Sequence, residues 1–175
     1  LALCAPLSMA TGLDHVFIAS THTEAFDHPW GSHPDIADHV RWADATASHD
    51  GYELSRQEKV DRLATFVDRE EYDLPLYTCN RGEATNCSDC EKCYRTAIGL
   101  LLAGLTPTDH GYEIAPADLD HAREQLLSGE WLVDEDVLFM CKDLQAHAET
   151  GFEHDAPAAR EFFKWLSQID LDACY

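Results

Sequence analysis

The chain has 175 residues, with 33 acidic side chains against 12 basic ones and a formal net charge of −21. That length builds one compact domain, or one domain with an appendage, and the charge repels nucleic acid and anionic membrane, which disfavours a general nucleic-acid-binding role. No apolar run reaches the roughly 18 residues that a membrane crossing needs.

The acidic residues are spread along the whole chain, and there are only four lysines, Lys59, Lys92, Lys142 and Lys164. This pattern suits a protein kept soluble in very salty cytosol, where screening removes most of the self-repulsion, so a halophilic source is expected. Seven cysteines, four of them in one short segment, are not the even, dispersed framework of a small secreted domain. They point to a reducing, cytoplasmic compartment, with Cys4, Cys141 and Cys174 as buried or surface thiols. The first residues lack a basic leader and do not read as a signal peptide. The chain starts at Leu1 inside a helix-like pattern, and the natural protein is expected to continue upstream.

Residues 2–11 read as a helix stopped by Gly12. The apolar run 15–20 reads as a strand buried on both faces, as in a parallel sheet. A His- and Pro-rich loop follows over 21–39, at the carboxyl end of that strand, where open α/β sheets bind ligands. Residues 43–51 can hold a more polar strand. Ser55 and Glu58 form a capping box that opens a helix carrying Val60, Leu63, Ala64 and Val67 at helical spacing. Residues 74–78 read as a second buried strand. A helix from about Glu91 to Ala103 stops at Gly104, with Pro107 beyond. Alternation through residue 105 implies α/β layering with parallel strands. After it come helices ending near Ser128, where Gly129 is the stop, then over 134–148 and 156–169.

Cys79, Cys87, Cys90 and Cys93 have C-x7-C-x2-C-x2-C spacing. Two-residue spacers turn successive sulfurs toward one point, and the longer spacer, which contains Gly82, can loop back to supply a fourth corner. Four thiolates fill the tetrahedron that Zn²⁺ prefers and leave no position for activated water, so the zinc expected here is structural. An iron–sulfur cluster also takes four cysteines, but the common ferredoxin runs are missing. A redox C-x-x-C pair leaves the other cysteines surplus, and unligated thiols are the remaining alternative. Arg81, Lys92 and Arg95 lie beside the cluster in sequence and would offset its negative charge.

A strand ending in IAST, the His/Pro loop, SRQEKVDRLA and LYTCN…NCSDCEKCYRTA occur here in that order. Together they resemble the C-terminal half of the PP-loop ATP pyrophosphatases, in the zinc-containing branch of the 7-cyano-7-deazaguanine synthase type. The likeness covers roughly residues 1–105. It implies a partial Rossmann-like parallel sheet with a zinc-binding loop, followed by a helical tail over 106–175. It matches Cys79, Cys87, Cys90 and Cys93 to the zinc ligands. It further implies an ATP-dependent adenylating or amidating activity that forms AMP and pyrophosphate, possible in nucleobase modification. The Ser-Gly-Gly-x-Asp-Ser loop that holds ATP phosphates in that family does not occur in this sequence. ATP and Mg²⁺ are therefore expected only with a half of the protein upstream of Leu1.

On this resemblance Ser20, Thr21, His22, Trp30, His33 and Asp35 line the acceptor side of a cleft for a small-molecule substrate. Histidine can shuttle protons, Asp35 can orient it or hold Mg²⁺, Trp30 can stack on a flat ring, and Arg56 at a helix start can bind an anion. The same loop reads equally as a solvated turn, with Trp30 as a satellite core residue. His28, His33 and His39 match no strong ligand pattern, and His49 beside Asp50 reads as a turn pair. A homodimer is compatible with all of this, and a zinc-stabilised interaction module without catalysis is the competing function.

Overall fold

The computed structural model describes residues 4–26, 28–81, 84–152 and 154–174. The chain divides into two compact units, 1–56 and 57–175.

The first unit holds α1 (Cys4–Thr11), β1 (His15–Ala19), α2 (Pro34–Ala37), β2 (Arg41–Trp42) and β3 (Ala45–Asp50). Gly12, at φ 74°, ends α1 as expected; left-handed backbone there costs a residue without Cβ nothing. The sheet has the order β1-β3-β2, parallel between β1 and β3 and antiparallel between β3 and β2. It is α/β with one parallel pair, and a mixed rather than all-parallel sheet.

β1 is not buried on both faces. Phe17 is 69% exposed and Ala19 is exposed as well. His15, Phe17 and Ala19 alternate onto one side, as strand geometry requires, and share it with Thr46 and Ser48. There the His15 ring bonds Ser48 Oγ (2.7 Å) and Thr46 Oγ1 (3.0 Å). The other side carries buried Ala45 and Ala47.

The second unit begins within α3 (Arg56–Glu70) and continues with α4 (Glu91–Leu102), α5 (Leu119–Ser128), α6 (Glu135–Glu149) and α7 (Pro157–Leu166). α4 is the central element. Cys93, Ala97 and Leu100 on it are fully buried, and Tyr112, Ile114, Leu119, Phe162 and Phe163 pack into the same core. The cysteine segment and the helices after residue 105 thus share one hydrophobic interior. Gly99 admits a close approach of α3: a Cβ there would stand 2.8 Å from Gln57 Oε1. Gln57 is itself buried, donating Nε2–H to Asp61 and to the Gly99 carbonyl. Asp143 of α6 accepts the Gln57 backbone N–H at 2.8 Å, a cap for the start of α3 from far along the chain.

Residues 74–78 form no strand. Their partners explain why. Leu76 N–H donates to His110 O, and the His110 ring bonds Leu74 O, while one side chain, Asn86, takes up much of the remaining backbone. The segment is extended, but it lies against a 3₁₀ turn (Pro107–His110) and a side-chain amide, not against a strand. The last helix stops at Leu166, short of the expected 169, and a 3₁₀ turn follows (Leu171–Cys174). Among the described residues no helix is long and apolar enough to cross a membrane.

Candidate metal centre

The four sulfurs converge. Sγ of Cys79, Cys87, Cys90 and Cys93 all lie within 4.8 Å of one another, with Cys87 to Cys93 at 3.8 Å and Cys90 to Cys93 at 3.5 Å. A tetrahedron with metal–sulfur bonds of about 2.3 Å has edges of about 3.8 Å, so the donor set fits a tetrathiolate ion.

Each donor is placed by its neighbours. Asn86 Oδ1 accepts the N–H groups of Thr78 (3.0 Å) and Cys79 (3.3 Å), while its Nδ2 donates to Leu76 O (2.8 Å) and Gly111 O (2.9 Å). One amide therefore fixes the approach to Cys79 by four bonds. Ser88 adopts φ 54° and its Oγ accepts Glu113 N–H, fixing the turn between Cys87 and Cys90. Cys90 is the N-cap of α4 in extended conformation with no side-chain cap bond, and the positive end of a helix favours an anionic sulfur. Cys93 sits one turn in, on the buried face.

Burial raises the Cys87 thiol, but hydrogen bonds from the Asp89 and Cys90 backbone and from the Cys90 and Cys79 thiols outweigh it and bring it down to about 7. Burial raises Cys90, and burial together with the neighbouring Cys90 raises Cys93. Thiols gathered this closely resist ionising together, and a cation removes that conflict. Arg81 answers the cluster as expected: the charge of Cys87, then a bond to Asp89 (3.2 Å), strengthens its hold on its proton. Arg95 does not. It turns into the helical core, and the reason is an ion pair with Glu91 one turn before it. Gly82 lies outside the described residues.

The other candidates stand in the first unit. Ser20 and His22 are buried, Thr21 is exposed, and Arg56 is the half-buried first residue of α3. His22 meets the edge of Trp30 at 4.4 Å, and Trp30 meets His33 at 4.7 Å. His33 Nδ1 accepts the Asp35 N–H and caps α2. Pro29, Trp30, His33, Asp35 and Ile36 line an open depression of about 240 Å³. Ser20, His22, Trp30, His33 and Asp35 thus belong to one stretch that follows β1. Among the described residues, the four cysteines are the one group that could hold a metal, and His28, His33 and His39 do not assemble into another.

A pairing that the sequence did not reveal is His49 with Asp38. Asp38 Oδ1 accepts both the backbone N–H (2.8 Å) and Nδ1 (2.9 Å) of His49, whose side chain is 3% exposed. The acceptor is eleven residues away, not the adjacent Asp50, and β-strand alternation, which points His49 and Asp50 to opposite sides, was the available signal. The His49 side-chain bond holds the Asp38 carboxyl below its ordinary value, against desolvation. Because the folded value is depressed, this contribution is complete above the ordinary carboxylate range and is lost as pH falls through the folded value. Solvent reaches the Asp38 carboxylate, which is 39% exposed, and screens the interaction, so Asp38→Asn is expected to cost less than about 1 kcal/mol near pH 6 and nothing once the wild-type carboxyl is protonated. Urea unfolding at a series of pH values measures the difference, and a gap that persists undiminished in acid would refute it.

No protein-family model, no curated protein and no solved structure matches this chain.

Proposed function

We propose that Cys79, Cys87, Cys90 and Cys93 hold one structural zinc ion. The observation that carries this reading is the mutual approach of four Sγ atoms within 4.8 Å at the start of the most buried helix of the second unit. Zinc suits four soft donors with no redox demand, and a closed tetrathiolate leaves no open position for chemistry. The ion would tie the extended segment at Cys79 to α4 and so close the core that α4 organises. Metal analysis of the protein purified without chelator is expected to give one zinc per chain. Iron in its place, with the charge-transfer colour of an iron–sulfur cluster, or no metal at all, would overturn the assignment.

For the activity, the reading is an ATP-dependent adenylating enzyme of the PP-loop type, with the zinc as scaffold. Two things support it: the order of the motifs, and the emergence of the His/Trp stretch from the carboxyl end of a strand in a parallel pair. On this reading the sheet belongs to a Rossmann-like fold, and the depression beside Trp30 and His33 receives the substrate, a 7-deazapurine-like base or a related small molecule. The Ser-Gly-Gly-x-Asp-Ser loop does not occur in this sequence, so this reading includes ATP and Mg²⁺ only on condition that a further half supplies it. Pyrophosphate release from ATP by the full-length protein is the expected result. Zinc at one per chain without ATP binding or turnover would instead favour a zinc-stabilised interaction module.

A further inference from the structure

We propose that Asn86 is the positioning residue that keeps the metal four-coordinate: its side chain holds Cys79 against the other three donors, and without it the ion keeps three sulfurs and takes a water in the fourth position. This rests on the reading of the four cysteines as a metal centre. The donors are tied unequally. Cys87, Cys90 and Cys93 follow one another at two-residue spacing into the first turn of α4, so local backbone brings them together. Cys79 stands apart, beyond the spacer 80–86, at the end of an extended segment that belongs to no helix or strand.

Both pieces are fastened to residues 110–113. Leu76 N–H donates to His110 O, and the Thr78 and Tyr112 hydroxyls bond at 2.9 Å. Glu113 N–H donates to Ser88 Oγ, and Asn86 Nδ2 to Gly111 O. Gly111, at φ 89°, offers that carbonyl from a left-handed turn that glycine adopts without strain. Asn86 is where the two pieces meet. Its backbone runs directly into Cys87, while its Oδ1 accepts the N–H of Thr78 and of Cys79 itself. Cys79 and Cys87 are thus joined through one side chain, without passing through the rest of the spacer. The task is specific to an amide. The oxygen faces two N–H donors and the nitrogen two carbonyls, of Leu76 and Gly111, which uses the full capacity of both. A reversed amide would set N–H against N–H. Alanine supplies none of the four bonds, and aspartate only the accepting pair.

The full chain loaded with Co²⁺ in place of zinc reads this directly, because thiolate-to-cobalt charge-transfer absorption grows with the number of Co–S bonds. Wild type is expected to show the spectrum of four thiolates. Asn86→Ala is expected to show that of three, with an affinity about 10–100-fold weaker by chelator competition. Asn86→Asp keeps the bonds to the Thr78 and Cys79 N–H groups and is expected to restore the four-thiolate spectrum, a rescue that a general loss of packing would not give. Thr78→Val breaks the hydroxyl bond to Tyr112 on the same segment and is expected to leave the spectrum unchanged. A three-thiolate spectrum in that variant too would make Asn86 no different from any other tie of the segment and overturns the proposal. So does a four-thiolate spectrum in Asn86→Ala, which leaves the metal centre itself standing. A wild type that binds no cobalt overturns both. Should Asn86→Ala not fold, Asn86→Asp decides by affinity: lacking two of the four bonds, it is expected to bind about tenfold more weakly, and binding as tight as wild type sinks the proposal.

Discussion

Cys93→Ser is expected to abolish stoichiometric metal binding and to unfold the second unit at temperatures where the wild type is intact. Cys93 is completely buried on α4, and its sulfur lies 3.5 Å from that of Cys90 and 3.8 Å from that of Cys87. A hydroxyl is a poor ligand for zinc, and it would leave three sulfurs to hold an ion that prefers four. Structural zinc contributes about 10–16 kcal/mol of apparent binding free energy, while a domain of this kind is stable by only about 5–15 kcal/mol. Loss of the ion therefore removes a quantity as large as the whole stability. Metal content and a thermal melt of the same sample are the measurements, with the metal-bound wild type melting at least about 10 °C higher. Cys174→Ser is the control. That thiol is half-buried and outside the cluster, and its replacement is expected to stay within about 0.5 kcal/mol of wild type. A Cys93→Ser protein that keeps one ion per chain and its melting temperature would dispose of the tetrathiolate.

The four-cysteine cluster was legible before the fold because its constraint is local. Three cysteines at two-residue spacing can reach one point whatever surrounds them, and only Cys79 needed help from the tertiary structure. That help came from Asn86, which no pattern marks: an asparagine between a threonine and a cysteine reads as a turn residue, and its four backbone partners lie at positions 76, 78, 79 and 111. The helices were legible for a similar reason. Gly12, Gly104 and Gly129 take the left-handed conformation that their position after a helix suggested, and Asp134 caps α6. The strands were not equally legible. LPLYT and HVFIA are both short, largely apolar runs, but only the second finds a partner strand, and an apolar run does not say what lies beside it. Periodicity could not show that Phe17 is exposed either, because an edge strand and a central one differ in what lies beside them. The pairing of Asp38 with His49 was not legible either, since it depends on how α2 and β3 come together.

Arg95 was misplaced by reasoning from sequence proximity, and the correction carries a second large effect. Its side chain is 6% exposed, with Nε 2.9 Å from Glu91 Oε1, and Glu91 is 15% exposed. Nη1 rests against Met140 Sδ. Ile98, Leu126, Trp131, Leu144 and Phe162 line the same space, which leaves a void of about 20 Å³, the size of a single water. The Cys141 thiol bordering it is pushed up to about 12, by burial first and then by the Glu91 charge. Removing one member of a buried ion pair leaves the other charged in apolar surroundings, which costs about 3–5 kcal/mol. Arg95→Ala is expected to lose that much in denaturant unfolding at neutral pH, whereas Lys142→Ala, which breaks an exposed pair with Asp172, changes stability by less than about 1 kcal/mol. Raising salt should not rescue Arg95→Ala, because ions do not reach the pair. The double variant Glu91→Gln with Arg95→Met separates charge from packing. With no charge left unpaired and the volume nearly kept, it is expected to recover most of the loss. If instead the double variant is as unstable as Arg95→Ala, the loss belongs to the shape of the arginine against Met140 and Trp131, and the ion pair contributes little to the core around α4.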